Sequence, residues 1–146
     1  MAELYIDGLS APNEIKAELV KLSKTYTFTK EVEKGANGYL FFGRNRIMAT
    51  DVAVKFYYWG GDKDYHAEPR NLAAIHCDNI LSILDASFID NDWAYFVTPY
   101  CQNGDLDDYI EQTNFGNLQA IDFVSSVLNG AYSHDFDHRF SSALIA

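Results

Sequence analysis

The stretch from Thr25 to Tyr58 restricts the fold more than any other part of the chain, because it holds three strand-like runs, the first alternating with a period of two, broken only by short turns. Tyr26, Phe28, Lys30 and Val32 alternate with Thr25, Thr27, Thr29 and Glu31, which predicts a half-buried strand. Tyr39 to Arg44 and Asp51 to Tyr58 make two further strand-like runs rich in aromatic and β-branched residues. Lys34, Gly35, Ala36, Asn37 and Gly38 form the first turn, and Arg44, Asn45 and Arg46 the second. Connections this short join antiparallel neighbours, since a parallel pair needs a crossover of about a dozen residues or more.

The flanking segments complete an α+β pattern. Residues 12 to 24 read as an amphipathic helix, with Pro12 and Asn13 at its start and Ile15, Leu19 and Leu22 at helical spacing. Gly60 and Gly61 end the third strand, and a helix is expected over 69 to 77, with Pro69 in its first turn. Ile80 to Leu84 together with Ala86 to Ile89 predict a fourth strand, and Trp93 to Thr98 a fifth across the turn Asp90, Asn91, Asp92. Gly104 closes a connector, and residues 105 to 112 and 118 to 131 read as two more helices. The expected architecture is a five-stranded antiparallel sheet with one crossing helix, followed by two helices. Its segments are an extension with a short helix over 1–25, a sheet unit over 26–104, and a helical region with a tail over 105–146.

Composition excludes several partners. Eleven basic against 21 acidic residues in 146 leave a net charge of −10. Nucleic acid and anionic membrane surfaces are therefore not expected, because both are held by clustered Lys and Arg. Cys77 and Cys101 form neither a Cys-x-x-Cys pair nor a zinc spacing, and are expected to be buried reduced thiols. Met1 to Asp7 has neither the basic start nor the apolar run of a secretory leader, so a cytoplasmic protein is expected.

Two features carry chemistry. The turn at 34–38 joins two strands rather than a strand to a helix, which excludes the phosphate-binding loops that need a helix N-terminus. A plain hairpin and a flap that brings backbone close to a phosphate both remain open. Lys55 lies within the apolar run Val52, Ala53, Val54. It either snorkels to water or meets a carboxylate. Glu68, Leu72 and Ile75 are spaced i, i+4, i+7, so all three are expected to face the sheet, with Glu68 the candidate partner. His66 is expected to be solvated. His134 and His138 are four apart, but no third ligand is near in sequence, and no metal site is assigned. The acidic run from Asp105 to Asp108 suits a helix N-terminus.

Four motifs in series bear a resemblance. They are Gly35-Ala-Asn-Gly38; Val52-Ala-Val-Lys55; Glu68 with Leu72, Ile75, His76, Asn79 and Ile80; and the run from Tyr95 to Leu106. In order and separation they resemble the N-terminal lobe of the eukaryotic-type protein kinases, from about residue 26 to residue 132. The resemblance implies that Val32, Gly35, Gly38 and Leu40 form a glycine-rich loop over the phosphates of ATP, and that Ala53 packs on adenine. It implies that Lys55 holds the α- and β-phosphates while paired with Glu68. Thr98 takes the gatekeeper position, Pro99 and Cys101 offer a hinge carbonyl and amide to adenine, and Asp105 reaches the ribose. His76 corresponds to a structural histidine. The crossing helix corresponds to the family's αC, and the last two helices to αD and αE.

The departures are equally specific. Glu33 replaces the first glycine of the loop and adds negative charge near the phosphates. Pro69 follows Glu68 directly, which places Glu68 at the helix cap. Pro99 replaces the hinge glutamate and keeps the carbonyl that matters. His138 and Arg139 resemble the start of the catalytic loop, yet Phe140 stands where its aspartate base belongs, and no Lys, Asn or Asp-Phe-Gly follows. No ligand for Mg²⁺ is recognised. The expectation is a truncated kinase or pseudokinase that binds nucleotide and acts through protein contacts, the alternative being a scaffold that kept only the fold. Apolar residues on more than one face of 118–131 predict a protein partner or self-association there.

Overall fold

The alternating run becomes the centre of a five-stranded sheet in the computed structural model, which describes residues 3–35, 38–100, 110–111 and 116–132. The strands are β1 (Tyr26–Gly35), β2 (Gly38–Asn45), β3 (Asp51–Tyr58), β4 (Asp85–Phe88) and β5 (Trp93–Pro99). Their spatial order is β1-β2-β3-β5-β4, and every adjacent pair is antiparallel. The helices whose bounds lie among the described residues are α1 (Asn13–Leu22), α2 (Ala67–Ala74) and α3 (Asn117–Tyr132). The predicted fold class, α+β with a five-stranded antiparallel sheet, is the observed one. The chain divides into two compact units, Met1–Arg70 with Ile83–Tyr100, and Asn71–Ser82 with Cys101–Ala146.

In the first unit the main core lies on one face of the sheet. Tyr39 and Phe41 of β2, Val52, Val54 and Phe56 of β3, and Tyr95 and Val97 of β5 are buried in a single cluster. Ile15, Leu19 and Leu22 of α1 cover them, together with Ala11. Their i, i+4, i+7 spacing puts all three on one stripe of the helix, and Ile15 and Leu19 are fully enclosed. Each such side chain contributes about 1.5–3 kcal/mol of burial free energy. Further ties hold the N-terminal segment: the Leu4 amide donates to the Phe28 carbonyl at 2.9 Å, and the Arg46 guanidinium reaches Ser23 O and Glu3.

Strand β1 does not keep the simple alternation. Phe28 pairs with Gly43 but Lys30 with Phe42, so Thr29 is an extra residue, a β-bulge. Beyond the bulge the backbone register is shifted by one, and residue 32 pairs with Leu40. A second irregularity follows between Val32 and Gly35.

Two other segments differ from expectation. The helix predicted over 69–77 runs over Ala67–Ala74 and continues directly from a 3-10 turn, Lys63–His66. Pro69 is its third residue, where the amide it lacks would have had no partner within the helix. Ile75 falls beyond the helix and so cannot extend its face. The run Ile80 to Leu84 is not strand; only Asp85–Phe88 is, and all four of its residues are exposed. The turn before β5 forms as expected, with Asp90 Oδ1 accepting from the amides of Asp92 and Trp93 at 2.8 and 2.7 Å. Of the helix expected over 105–112, Ile110 and Glu111 are helical and the other residues lie outside those described. In the second unit, Cys77 is half-buried rather than buried, with its Sγ 3.9 Å from the Asn129 carbonyl. His76 is exposed. Cys101, His134 and His138 lie outside the described residues.

Candidate functional site

The face of the sheet opposite α1 brings the sequence-selected residues together. On β3, Val52, Val54 and Phe56 point into the α1 core, so by strand alternation Ala53, Lys55 and Tyr57 face the other way. Register extends this face into rows: residue 32, Leu40, Lys55 and Phe96 lie opposite one another, and beside them Phe42, Ala53 and Thr98.

Lys55 meets Glu68. Its Nζ lies 2.8 Å from both Oε1 and Oε2 of the carboxylate. Glu68 is the second residue of α2 rather than its cap, which corrects the placement inferred from Pro69. Side-chain exposures of 27% and 38% leave the pair partly screened by water. An ion pair in that setting stabilises the fold by about 1 kcal/mol or less, so its value lies in fixing position. The Phe96 ring, 5.7 Å from Nζ, adds a cation–π contact beneath the ammonium.

Gly38 closes the strand pair above this row. It has φ of +143°, and a Cβ there would fall 1.9 Å from the carbonyl oxygen of Phe56. Only glycine lets β2 begin this close to β3. Gly35 is its cross-strand partner. Ala36 and Asn37 between them lie outside the described residues. At the other end of the face Thr98 is buried, Pro99 is half-buried opposite Val52, and the Tyr100 amide donates to Asp51 O at 3.1 Å. Cys101 and Asp105 are outside the described residues.

Sequence reasoning missed two clusters here. Phe42 and Tyr100 pack in a tilted contact with ring centroids 4.3 Å apart beside Ala53. His66, expected in solvent, is only 6% exposed and sits 2.7 Å from the Tyr57 hydroxyl through Nδ1. Trp59, Phe88 and Tyr57 surround its ring at centroid distances of 4.9, 5.1 and 5.7 Å. Burial pushes its pKa below the ordinary 6.5, helped by the positive charges of Arg70 and Lys63. The only sequence signal was the density of aromatic residues from Tyr57 to Trp59. Among the described residues no three His, Cys, Asp or Glu side chains converge as metal ligands. None of their helices is long and apolar enough to cross a membrane.

Five antiparallel strands in this order, with a lysine of the third strand ion-paired to a glutamate of the helix that follows it, define a protein-kinase-like N-terminal lobe. A family model for protein tyrosine and serine/threonine kinases matches residues 26–139, and the chain belongs to that family. No curated protein matches the chain.

Proposed function

We propose that this chain is a cytoplasmic, kinase-like module that binds an adenine nucleotide, ATP, on the face bearing Lys55, and works through protein contacts rather than phosphate transfer. The observation that carries the reading is the Lys55–Glu68 pair, with both carboxylate oxygens 2.8 Å from Nζ, beneath a strand start that only glycine can occupy. Such a lysine, held in place by the glutamate, offers a fixed positive charge to the α- and β-phosphates. The chemistry of the face suits that ligand: a cation for phosphate, a backbone that approaches closely at Gly38, and the apolar Leu40 and Ala53 for a purine. In this reading Val32, Gly35, Gly38 and Leu40 form the roof, and Thr98 backs the site. Pro99 and Cys101 supply the carbonyl and amide, and Asp105 takes the ribose. Glu33 weakens phosphate binding. No residue is assigned to Mg²⁺, and Phe140 in the place of the catalytic aspartate has no oxygen with which to accept a proton.

Thermal unfolding tests the reading. ATP at about a hundred times its dissociation constant stabilises a single-site protein by about 2.7 kcal/mol. It should therefore raise the melting temperature of the wild type, with or without Mg²⁺, and leave Lys55→Ala unmoved. No shift in either protein would leave the alternative, an interaction scaffold.

The proposed protein contact is α3. Leu118, Ile121, Phe123, Val124, Val127 and Leu128 are all exposed on it, Leu118 to 79%. A helix this apolar is stabilised by a covering surface, either a partner or a second copy of the chain. Sedimentation should show association that Val124→Glu with Val127→Glu abolishes. A monomer at high concentration would refute self-association.

A further inference from the structure

We propose that His66 is a proton-operated pin: its neutral imidazole ties the start of α2 to β3 through Tyr57 and so keeps Glu68 on Lys55, and protonation releases that turn of helix. The geometry is a pair of adjacent rungs. Tyr57 and Lys55 are two apart on β3 and share one face, and His66 and Glu68 are two apart at the beginning of α2. Tyr57 bonds His66 at 2.7 Å and Lys55 bonds Glu68 at 2.8 Å. Both are side-chain hydrogen bonds between residues 63–70 and the sheet. One of them is water-screened, and the other is buried.

The buried rung is incomplete. His66 Nε2 has no hydrogen-bond partner although its atom is fully enclosed. In the neutral ring Tyr57 either donates to Nδ1 or accepts from it, and Nε2 carries the remaining proton or lone pair. The imidazolium would add a second N–H and a full charge in a cage of Trp59, Phe88 and Tyr57. The charged groups around it do not compensate. Lys63 and Arg70, from its own turn and from α2, are positive. From β3, Lys55 is also positive, and the Glu68 carboxylate is already engaged with it. From the β4 side Phe88 is the contact. Trp59 is fixed through the backbone carbonyls of Asp92 and Asp90, and the Asp90 carboxylate is taken by the Asp92 and Trp93 amides. The Asp62 carboxylate accepts from the Asp64 amide.

The sign follows from linkage. A histidine whose pKa is lowered in the pinned state favours that state when neutral. The preference is complete above 6.5, the value in the released state, and declines as pH falls through 6.5 towards the lower pinned value. One proton changes the ratio of pinned to released protein by at most about tenfold per pH unit.

The test needs no nucleotide, so it stands apart from the binding reading. Trp93→Phe leaves Trp59, whose ring lies against His66 with centroids 4.9 Å apart, as the reporter of ring protonation. Its emission, and amide exchange over 63–74 corrected for intrinsic rates, are followed from pH 8 to pH 5. The expected result is one single-proton transition with its midpoint below 6.5 and a matching loss of α2 protection. His66→Gln and His66→Phe, neither of which titrates, should abolish both. His66→Gln retains a group able to bond Tyr57, which guards against a packing failure in the other. A midpoint at or above 6.5, exchange that ignores pH, or a transition that survives in either variant overturns the pin. If the nucleotide reading also holds, ATP affinity falls over the same range in the wild type and stays flat in His66→Gln.

Discussion

Gly38→Ala is expected to be among the most damaging single-methyl additions in the sheet, and Gly61→Ala supplies its control. At Gly38 the added carbon would lie 1.9 Å from Phe56 O, 3.0 Å from its carbonyl carbon and 3.2 Å from Tyr57 Cα, all backbone of β3. No rotamer relieves a clash with backbone, so β2 must retreat by roughly 1 Å at its first residue, at the cost of about 1 kcal/mol of ladder hydrogen bonding. The backbone angle, φ of +143°, adds about 1–3 kcal/mol for any residue with a side chain. The expected loss is therefore about 2–4 kcal/mol. Gly61 also has positive φ, +81°, but nothing lies within 4 Å of its would-be Cβ. Its alanine should lose only the conformational part, about 1 kcal/mol. Urea denaturation followed by circular dichroism gives both values from shifts in midpoint at constant slope. Equal losses in the two variants would refute the close approach of β2 to β3.

Leu19→Ala should cost about 2–5 kcal/mol, because the side chain is fully enclosed between α1 and the sheet; a loss under about 1 kcal/mol would mean that α1 is not part of the core. Ala49→Gly should stabilise by about 0.5–1 kcal/mol, since Ala49 has φ of +54° in the turn between β2 and β3, and a lower melting temperature would contradict that strain.

Helix α1 was legible from its stripe at Ile15, Leu19 and Leu22, and strands β2, β3 and β5 from short runs of aromatic and β-branched residues bounded by turn residues. Lys55 and Glu68 were legible for a related reason, since an isolated charge in an apolar run asks for a partner. What escaped depends on contacts between distant segments. The Thr29 bulge carries no residue signal, as threonine fits a regular strand equally well. Pro69 suggested a helix start, whereas the 3-10 turn before it allows the helix to begin two residues earlier. Ile80 to Leu84 looked like strand by apolarity alone, which cannot separate a strand from an irregular apolar segment; Leu81 and Leu84 are exposed. His66 was misjudged because the rings that enclose it come from β3, its following turn and β4.

Strand β3 serves as a party wall between two tenants. Val52, Val54 and Phe56 belong to the layer under α1, and Lys55 and Tyr57 to the ion pair and the histidine rung. None of these five positions is therefore free to drift, whichever way it points. Strand β4, whose four residues are exposed, is the part of the same sheet where substitutions can accumulate, save at Phe88 beside His66.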